Sequence, residues 1–362
     1  MKKAEESVQS NDTGSASDPV KEERRRVKRS YGVSTTAVLF QILVINLVSV
    51  GANVVLQVIA ASRLQAENPG VSAEELKVLV SEDVAQQAML TTLISLAAAG
   101  LALVVATAVG YKMIHTFRFR DSLNSKTRAK AVPLGIVGIL AVQPVSVLIS
   151  LLLRTIAGTN GSSADLANTM SGNGDPVGQI IAMIYSCIFA ALLEELFFRG
   201  FMLNALSPVS KWFAIIVSSL MFALIHGNLG QFPNTFIIGI IHGYIALKAG
   251  SVIPNIIAHM LTNFMAFAAG FAAEALGDTG YMIFFIAEFV IAAPCLILFF
   301  KKNGRINDKT DIIVPGLNSE LPAKSENTVK LLFGCPSFWI ALIFELGSMT
   351  TLLMSSMQAA AS

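Results

Sequence analysis

The sequence predicts an all-α fold, a polytopic transmembrane helical bundle of about eight spans, with seven to nine as the range. Of the 362 residues, 54% are hydrophobic and only 14% are charged, whereas soluble domains carry about 25% charged residues. Mean hydropathy is +0.64. Apolar runs of about 20 residues, the length that a helix needs to cross a bilayer, recur along the chain. These observations exclude disordered, fibrous and ordinary soluble proteins.

The expected spans follow one another with short polar connections. They are residues 35–61, 86–111, 132–157, 177–206, 212–227, 232–249, 251–275 and 280–300, and residues 331–355 form either a ninth span or an interfacial helix. The chain is expected to divide into a polar cytosolic tail (1–30), the first two transmembrane helices with their loops (31–131), a membrane core (132–300), and a cytosolic linker with a C-terminal apolar segment (301–362).

Lysine and arginine near the span ends predict the orientation, because loops rich in these residues stay on the cytosolic side. Residues 21–29 and 112–131 hold six Lys or Arg each, so both are expected inside and the N-terminus is expected to be cytosolic. The loops 62–85 and 158–176 hold two and none, and are expected outside. The net charge of only +2 argues against a nucleic-acid partner. The lipid bilayer is the expected partner surface.

One apolar run contains Glu194, Glu195 and Arg199. A charged residue at mid-bilayer costs about 2.5–3.5 kcal/mol on insertion scales, so a helix that keeps three usually needs them. Glu195 and Arg199 are four residues apart on one helix face, so they can pair. Glu194 points about 100° away from Glu195 and is left free to face a cavity. The alternative is a buried charge triad that only holds helices together.

Two histidines and an asparagine in the following apolar helices complete the candidate site. Phe222 and His226 are one turn apart, as are His259 and Asn263. Counted along the helices from the intervening turns, Glu194 and the two histidines reach similar depths, provided that the first turn projects from the bilayer. We therefore expect these side chains to converge at one depth.

Three further polar residues lie in apolar stretches. His242 is expected at a depth similar to that of His259, and we interpret it mainly as a helix-packing residue, with a supporting contact to the site as the alternative. Glu288 and Glu345 are interpreted as packed, hydrogen-bonded or protonated acids rather than catalytic groups.

A carboxylate, two imidazoles and an amide together fit the hydrolysis of an amide bond by activated water. A buried carboxylate can act as a general base, and histidines can position the attacking water or bind a metal ion. An asparagine amide can donate to the developing oxyanion. The chain contains neither Gly-x-Ser-x-Gly nor His-Glu-x-x-His, so no competing hydrolase motif is present.

The polar residues resemble the pattern of the intramembrane CAAX-prenyl-endopeptidase-like family, also called the CPBP or ABI family. The matching elements, in order, are Glu194-Glu195-x-x-x-Arg199, Phe222-x-x-x-His226 and His259-x-x-x-Asn263. The resemblance covers about 177–275 and extends to 132–300 as a CAAX-protease-like membrane core.

The resemblance implies a role for each motif residue. Glu194 would activate water, supported by Glu195 and Arg199. His226 and His259 would position the water or bind a metal, for which zinc is the candidate, and Asn263 would hold the oxyanion. Zinc-dependent catalysis and metal-free catalysis by Glu/His-activated water both stay open.

The expected function is therefore that of an intramembrane endopeptidase, either a metalloendopeptidase or a glutamate-dependent protease, whose substrate is a membrane protein or peptide. The composition and the polar N-terminal tail are typical of a bacterial protein, so we expect an integral protein of the bacterial cytoplasmic membrane. The alternative is a non-catalytic membrane regulator, scaffold or bacteriocin-immunity protein on the same fold. A transporter is less favoured because no inverted repeat is visible.

Overall fold

The computed structural model describes residues 19–114, 123, 128–156, 176–304 and 328–361. Within these ranges the chain folds into helices without any strand, which confirms the predicted all-α fold. The helices are α1 (Pro19–Glu67), α2 (Ala73–Gln86), α3 (Ala88–Ile114), α4 (Arg128–Ile156), α5, which starts with Pro176–Ile184 and ends with Leu203–Leu206, α6 (Lys211–Leu224), α7 (Phe232–Ala249), α8 (Ile253–Asn303), α9 (Thr328–Phe333) and α10 (Pro336–Ala361).

Five helices in the described part of the chain are long and apolar enough to cross a membrane: α1, α3, α4, α5 and α8. Helix α8 is interrupted at Gly277, where φ is 62° and ψ is −152°. Only glycine adopts this backbone conformation readily. The helical parts before and after Gly277 correspond to the expected spans 251–275 and 280–300. Helices α6 and α7 have 14 and 18 residues and are shorter than the roughly 20 residues of a full crossing. The expected count of about eight is reached only when these two are included.

Helix α1 begins before the expected span and includes part of the expected polar tail. Val27 and Ser30 are buried, and the Ser30 hydroxyl donates to the carbonyl of Ala205 over 2.5 Å. The Tyr31 hydroxyl donates to the carbonyl of Leu206 over 3.3 Å. The basic first turns of α1 therefore pack against the end of α5. Residues 1–18 of the expected tail lie outside the described residues.

The loop 158–176 and most of the loop 112–131 also lie outside the described residues, as does most of the linker that begins at 301. The expected orientation rests on the Lys and Arg content of residues 21–29, 62–85, 112–131 and 158–176, and it stays a prediction. The expected domain boundaries also stay predictions, and the first of them, after residue 30, falls within helix α1.

Helix α5 is the centre of the bundle, because its second half is buried from all sides. Leu196–Met202 contains no exposed residue, and its phenylalanines pack together with side chains of α1, α3, α6 and α10. Helix α4 packs along both α8 and α7, and the Ser146 hydroxyl donates to the Asn234 side chain over 2.5 Å. This arrangement places the charged residues of α5 in the interior of the protein.

Candidate active site

Two π-helical stretches in α5 flank the pair of glutamates. They are Tyr185–Ala190 and Leu196–Met202, and the single α-helical turn Ala191–Glu195 lies between them. A π-helical turn is wider than an α-helical turn, changes the direction of the side chains that follow it, and occurs frequently at functional sites. We expected this segment to be a regular helix, because no signal in the sequence marks the wider turns.

The carboxylate of Glu195 is the central hydrogen-bond acceptor of the site, and we call it the hub. Its Oε1 atom accepts a hydrogen bond from Nη1 of Arg199 over 2.8 Å. It also accepts hydrogen bonds from Nδ1 of His242 and Nδ1 of His259, each over 2.9 Å. The Glu195 side chain is 0% exposed and that of Arg199 is 1% exposed. One carboxylate oxygen therefore joins three helices, α5, α7 and α8, in the protein interior.

Arg199 makes further contacts that hold its guanidinium in place. Nη2 donates to the carbonyl of Gly239 in α7 over 3.4 Å, and the guanidinium carbon lies 4.4 Å from the ring centroid of Phe222. A cation over an aromatic face is stabilised by the ring quadrupole, more so when both are desolvated. The pairing of Glu195 with Arg199 that the helix spacing predicts is present, and α6 and α7 support it.

Glu194 lies on the other side of His259. Its Oε2 atom is 3.7 Å from Nε2 of His259, and its side chain is 16% exposed, in contrast to the fully buried Glu195. The distance is too long for a direct hydrogen bond and suits two groups that share a bridging water. His259 thus has Glu195 at one ring nitrogen and Glu194 near the other.

His226 borders the same group through Phe222. Its ring centroid lies 5.0 Å from that of Phe222, and the centroid of His259 lies 5.8 Å from the same phenyl ring. Nδ1 of His226 donates to the carbonyl of Phe222 over 2.8 Å. A carbonyl oxygen only accepts, so Nδ1 carries the proton and Nε2 of the neutral ring is a hydrogen-bond acceptor.

Asn263 connects α8 to the first π-helical stretch of α5. Its Nδ2 atom donates to the carbonyl of Ser186 over 2.7 Å. The amide nitrogen has a second N–H that this contact does not use. The structure therefore places Asn263 one turn after His259 and beside α5, with one donor committed to the backbone.

His242 contacts the hub directly, which differs from its interpretation as mainly a packing residue. The side chain is buried, and its Nε2 atom has no hydrogen-bond partner. Asn255 holds the backbone at this point, because its amide donates to the carbonyl of His242 over 2.5 Å. The similar depth of His242 and His259 was the signal in the sequence. The rotation of α7 decides the contact, and the sequence does not specify it.

The three residues at the hub could also hold a metal ion. Ligand atoms of Glu195, His242 and His259 lie within 4.8 Å of one another, and all three residues are buried. This set differs from the expected pair, His226 and His259, because it takes its second imidazole from α7 instead of α6. Two imidazoles and a carboxylate are a ligand set that zinc accepts. Arg199, however, already places a positive charge against the same carboxylate oxygen.

Comparison with known proteins gives one match. Residues 176–265, about a quarter of the chain, match the family model described as type II CAAX prenyl endopeptidase Rce1-like. No curated protein and no solved structure matches the chain. The matched residues run from the start of α5 into α8 and contain every residue of the group around Glu195. This match confirms the resemblance recognised in the three motifs: residues 176–265 are similar to the Rce1-like domain of type II CAAX prenyl endopeptidases, a family of proteases.

Proposed function

We propose that this integral membrane protein is an endopeptidase that hydrolyses a peptide bond of a membrane protein or peptide with water activated by Glu194 and His259. The observation that supports this most is the position of His259 between two carboxylates. Nδ1 bonds to the buried Glu195, and Nε2 lies 3.7 Å from the partly exposed Glu194. One carboxylate is neutralised by Arg199, which leaves the other to act as the base.

The tautomer of His259 follows from its contact with Glu195. An ionised carboxylate only accepts hydrogen bonds, so Nδ1 carries a proton. In the neutral form of the ring, Nε2 is then an acceptor. A water molecule between Nε2 and the Glu194 carboxylate can donate one hydrogen to each. Its oxygen lone pairs then point away from both groups, towards a substrate carbonyl. This is the orientation that nucleophilic attack requires.

The reaction balances with groups of this chain. The water oxygen bonds to the carbonyl carbon while Glu194 takes a proton, and the carbonyl oxygen becomes an oxyanion. The unused N–H of Asn263 is the donor that we assign to that oxyanion. Glu194 then gives the proton to the leaving amine as the C–N bond breaks, so that the products are a carboxylic acid and an amine.

Glu195 and His242 act on the reaction by positioning. The buried ion pair with Arg199 fixes the Glu195 carboxylate, and the carboxylate fixes the ring of His259. His242 donates to the same oxygen from a third helix. Several hydrogen bonds keep a catalytic group in its productive position. This matters because a displacement of about 1 Å can cost about 10²-fold in rate.

The proposal has a second, metal-dependent form. Glu195, His242 and His259 would hold the metal, and a bound zinc ion would polarise the scissile carbonyl. The repulsion expected between Arg199 and a divalent cation at the same oxygen favours the metal-free form. We expect that purified protein treated with a chelator keeps its cleavage rate within about twofold. Loss of activity with the chelator and its return on adding zinc would instead establish the metal-dependent form.

The test of the proposed function is a comparison of membrane-protein cleavage products in cells that carry the wild type or the variant Glu194→Gln. A product that accumulates only with the wild type identifies a substrate and supports the enzyme. Identical products and an identical cellular phenotype with the variant would support a non-catalytic regulator, scaffold or immunity protein on the same fold.

His242 gives a test of positioning. His242→Leu is expected to lower kcat about 10-fold with little change in KM, because Glu195 loses one donor to a charged acceptor, a contact worth about 1.5–3 kcal/mol. His242→Gln keeps an N–H donor and is expected to recover part of the rate. Steady-state kinetics on the purified variants measure both values. Equal rates for His242→Leu and wild type would show that this contact only packs the helices.

A further inference from the structure

A groove between α1 and α3 is separate from the candidate site. Its volume is about 440 Å³, within the range of 300–1,000 Å³ that is typical of ligand pockets. Residues of α1 from Arg29 to Phe40 form one wall, and residues of α3 from Val105 to Met113 form the other. No residue of the groove belongs to the matched segment 176–265.

The groove is apolar along its length and positively charged at one end. The hydroxyls of Ser49 and Ser95 lie 2.9 Å apart, which sets an antiparallel register of α1 and α3. In this register Phe40 and Val105 lie at the apolar end, and Arg29 lies at the other end with Met113. From Arg29 to Phe40 the wall measures about 16 Å at 1.5 Å per residue, so the space is long and narrow.

Further positive charge surrounds Arg29. The described part of α1 before it contains the exposed cations Lys21, Arg24, Arg25, Arg26 and Lys28 against two acids, Glu22 and Glu23, and Lys112 of α3 is exposed one residue before Met113. Arg25 lies one turn before Arg29 on the same helix face. Arg26 is paired with Glu22 over 2.9 Å and does not line the groove. The groove therefore has a cationic end at Arg29 and an apolar end at Phe40.

Phe201 separates the groove from the interior. Gly110 lines the groove, and a Cβ atom at this position would lie 2.4 Å from the Phe201 ring. Phe201 therefore fills the place of a side chain at residue 110, and Ala106 belongs to the same packed cluster. The groove opens away from this cluster, and the exposed side chains of Thr36 and Phe40 lie along it.

We propose that this groove binds one anionic glycerophospholipid, with an acyl chain between α1 and α3 and the phosphate at Arg29. The shape and the apolar walls fit an alkyl chain, and the charge at one end complements a phosphate. Basic residues at the end of a membrane helix, and basic pockets between such helices, are sites where acidic lipid headgroups bind. Lipid bound there would join α1 to α3, since it contacts both.

The test uses the full-length protein in neutral detergent, titrated with phosphatidylglycerol or with phosphatidylcholine of the same acyl chains, and bound lipid is counted by native mass spectrometry. We expect one phosphatidylglycerol to bind more tightly than phosphatidylcholine. Arg29→Gln should weaken its binding about fivefold, the loss expected for one basic contact with an anionic headgroup. Arg26→Gln removes the same charge from the same basic run and should leave the affinity within twofold.

A second pair of variants tests the groove itself. Thr36→Phe places a ring in the space and should reduce phosphatidylglycerol binding at least as much as Arg29→Gln. Leu47→Phe adds the same ring size at a side chain that is 72% exposed on α1 and should have no effect. Glycerol phosphate, which has the headgroup without the chains, should not compete.

Three results would overturn the proposal. They are equal binding of the two lipids, equal loss with Arg26→Gln and Arg29→Gln, and full binding by Thr36→Phe. The measurement counts lipid and needs no substrate, so its outcome does not depend on whether the protein is a protease.

Discussion

Glu194→Gln is expected to abolish most cleavage while leaving the fold intact. The change keeps the size of the side chain and one hydrogen-bond acceptor but removes the group that takes the proton from water. Loss of a general base typically costs about 10²–10⁴-fold in rate. The Glu194 side chain is 16% exposed, in contrast to the fully buried Glu195, so the variant should reach the membrane at the level of the wild type.

Glu274→Gln is the matched control for this variant. Glu274 is an exposed acid of α8, and the same exchange there should change neither the protein level nor the rate. Cleavage is measured as the rate of product appearance in cells and, once a substrate is found, with purified protein. A cleavage rate of Glu194→Gln within tenfold of the wild-type rate would show that Glu194 is not the general base.

Glu195→Gln is expected to reduce the amount of folded protein as well as activity. The Glu195 carboxylate neutralises Arg199 in a fully buried position and also accepts from two histidines. Removal of one partner of a buried ion pair costs about 3–5 kcal/mol, because an uncompensated charge is left in the interior. This is a large part of the 5–15 kcal/mol by which a typical domain is stable. The measurement is the protein level in membranes, together with the midpoint of thermal unfolding.

A double variant separates stability from catalysis. Glu195→Gln combined with Arg199→Met removes both charges, and replacement of a buried pair by uncharged side chains of similar volume is often neutral for stability. The double variant should therefore recover much of the protein level but not the activity, because His259 still lacks the carboxylate that fixes its ring. A single Glu195→Gln variant as stable as the wild type would contradict the role of the carboxylate as the hub.

For these two glutamates, the sequence alone predicts the features that depend on spacing within one helix. Helix geometry within one segment is encoded by spacing, so the pairing of Glu195 with Arg199 and the different direction of Glu194 could be predicted from residue numbers. The all-α membrane fold could be predicted as well, because composition and the length of apolar runs reflect the solvent in which a helix must be stable.

Tertiary structure alone decided which side chains meet. The depth of a residue follows from counting along a helix, but its rotation depends on how that helix packs, and the two π-helical stretches of α5 change the rotation of everything beyond them. For this reason we expected His226 and His259 around Glu194, whereas the structure brings His242 and His259 to Glu195. No residue signature marks the wide turns in the sequence, and in the structure the two stretches pack against α3, α6, α7 and α8. Motif spacing was enough to single out the polar residues of the candidate site, and the packing of α5, α7 and α8 determined that three donors share one buried oxygen of Glu195.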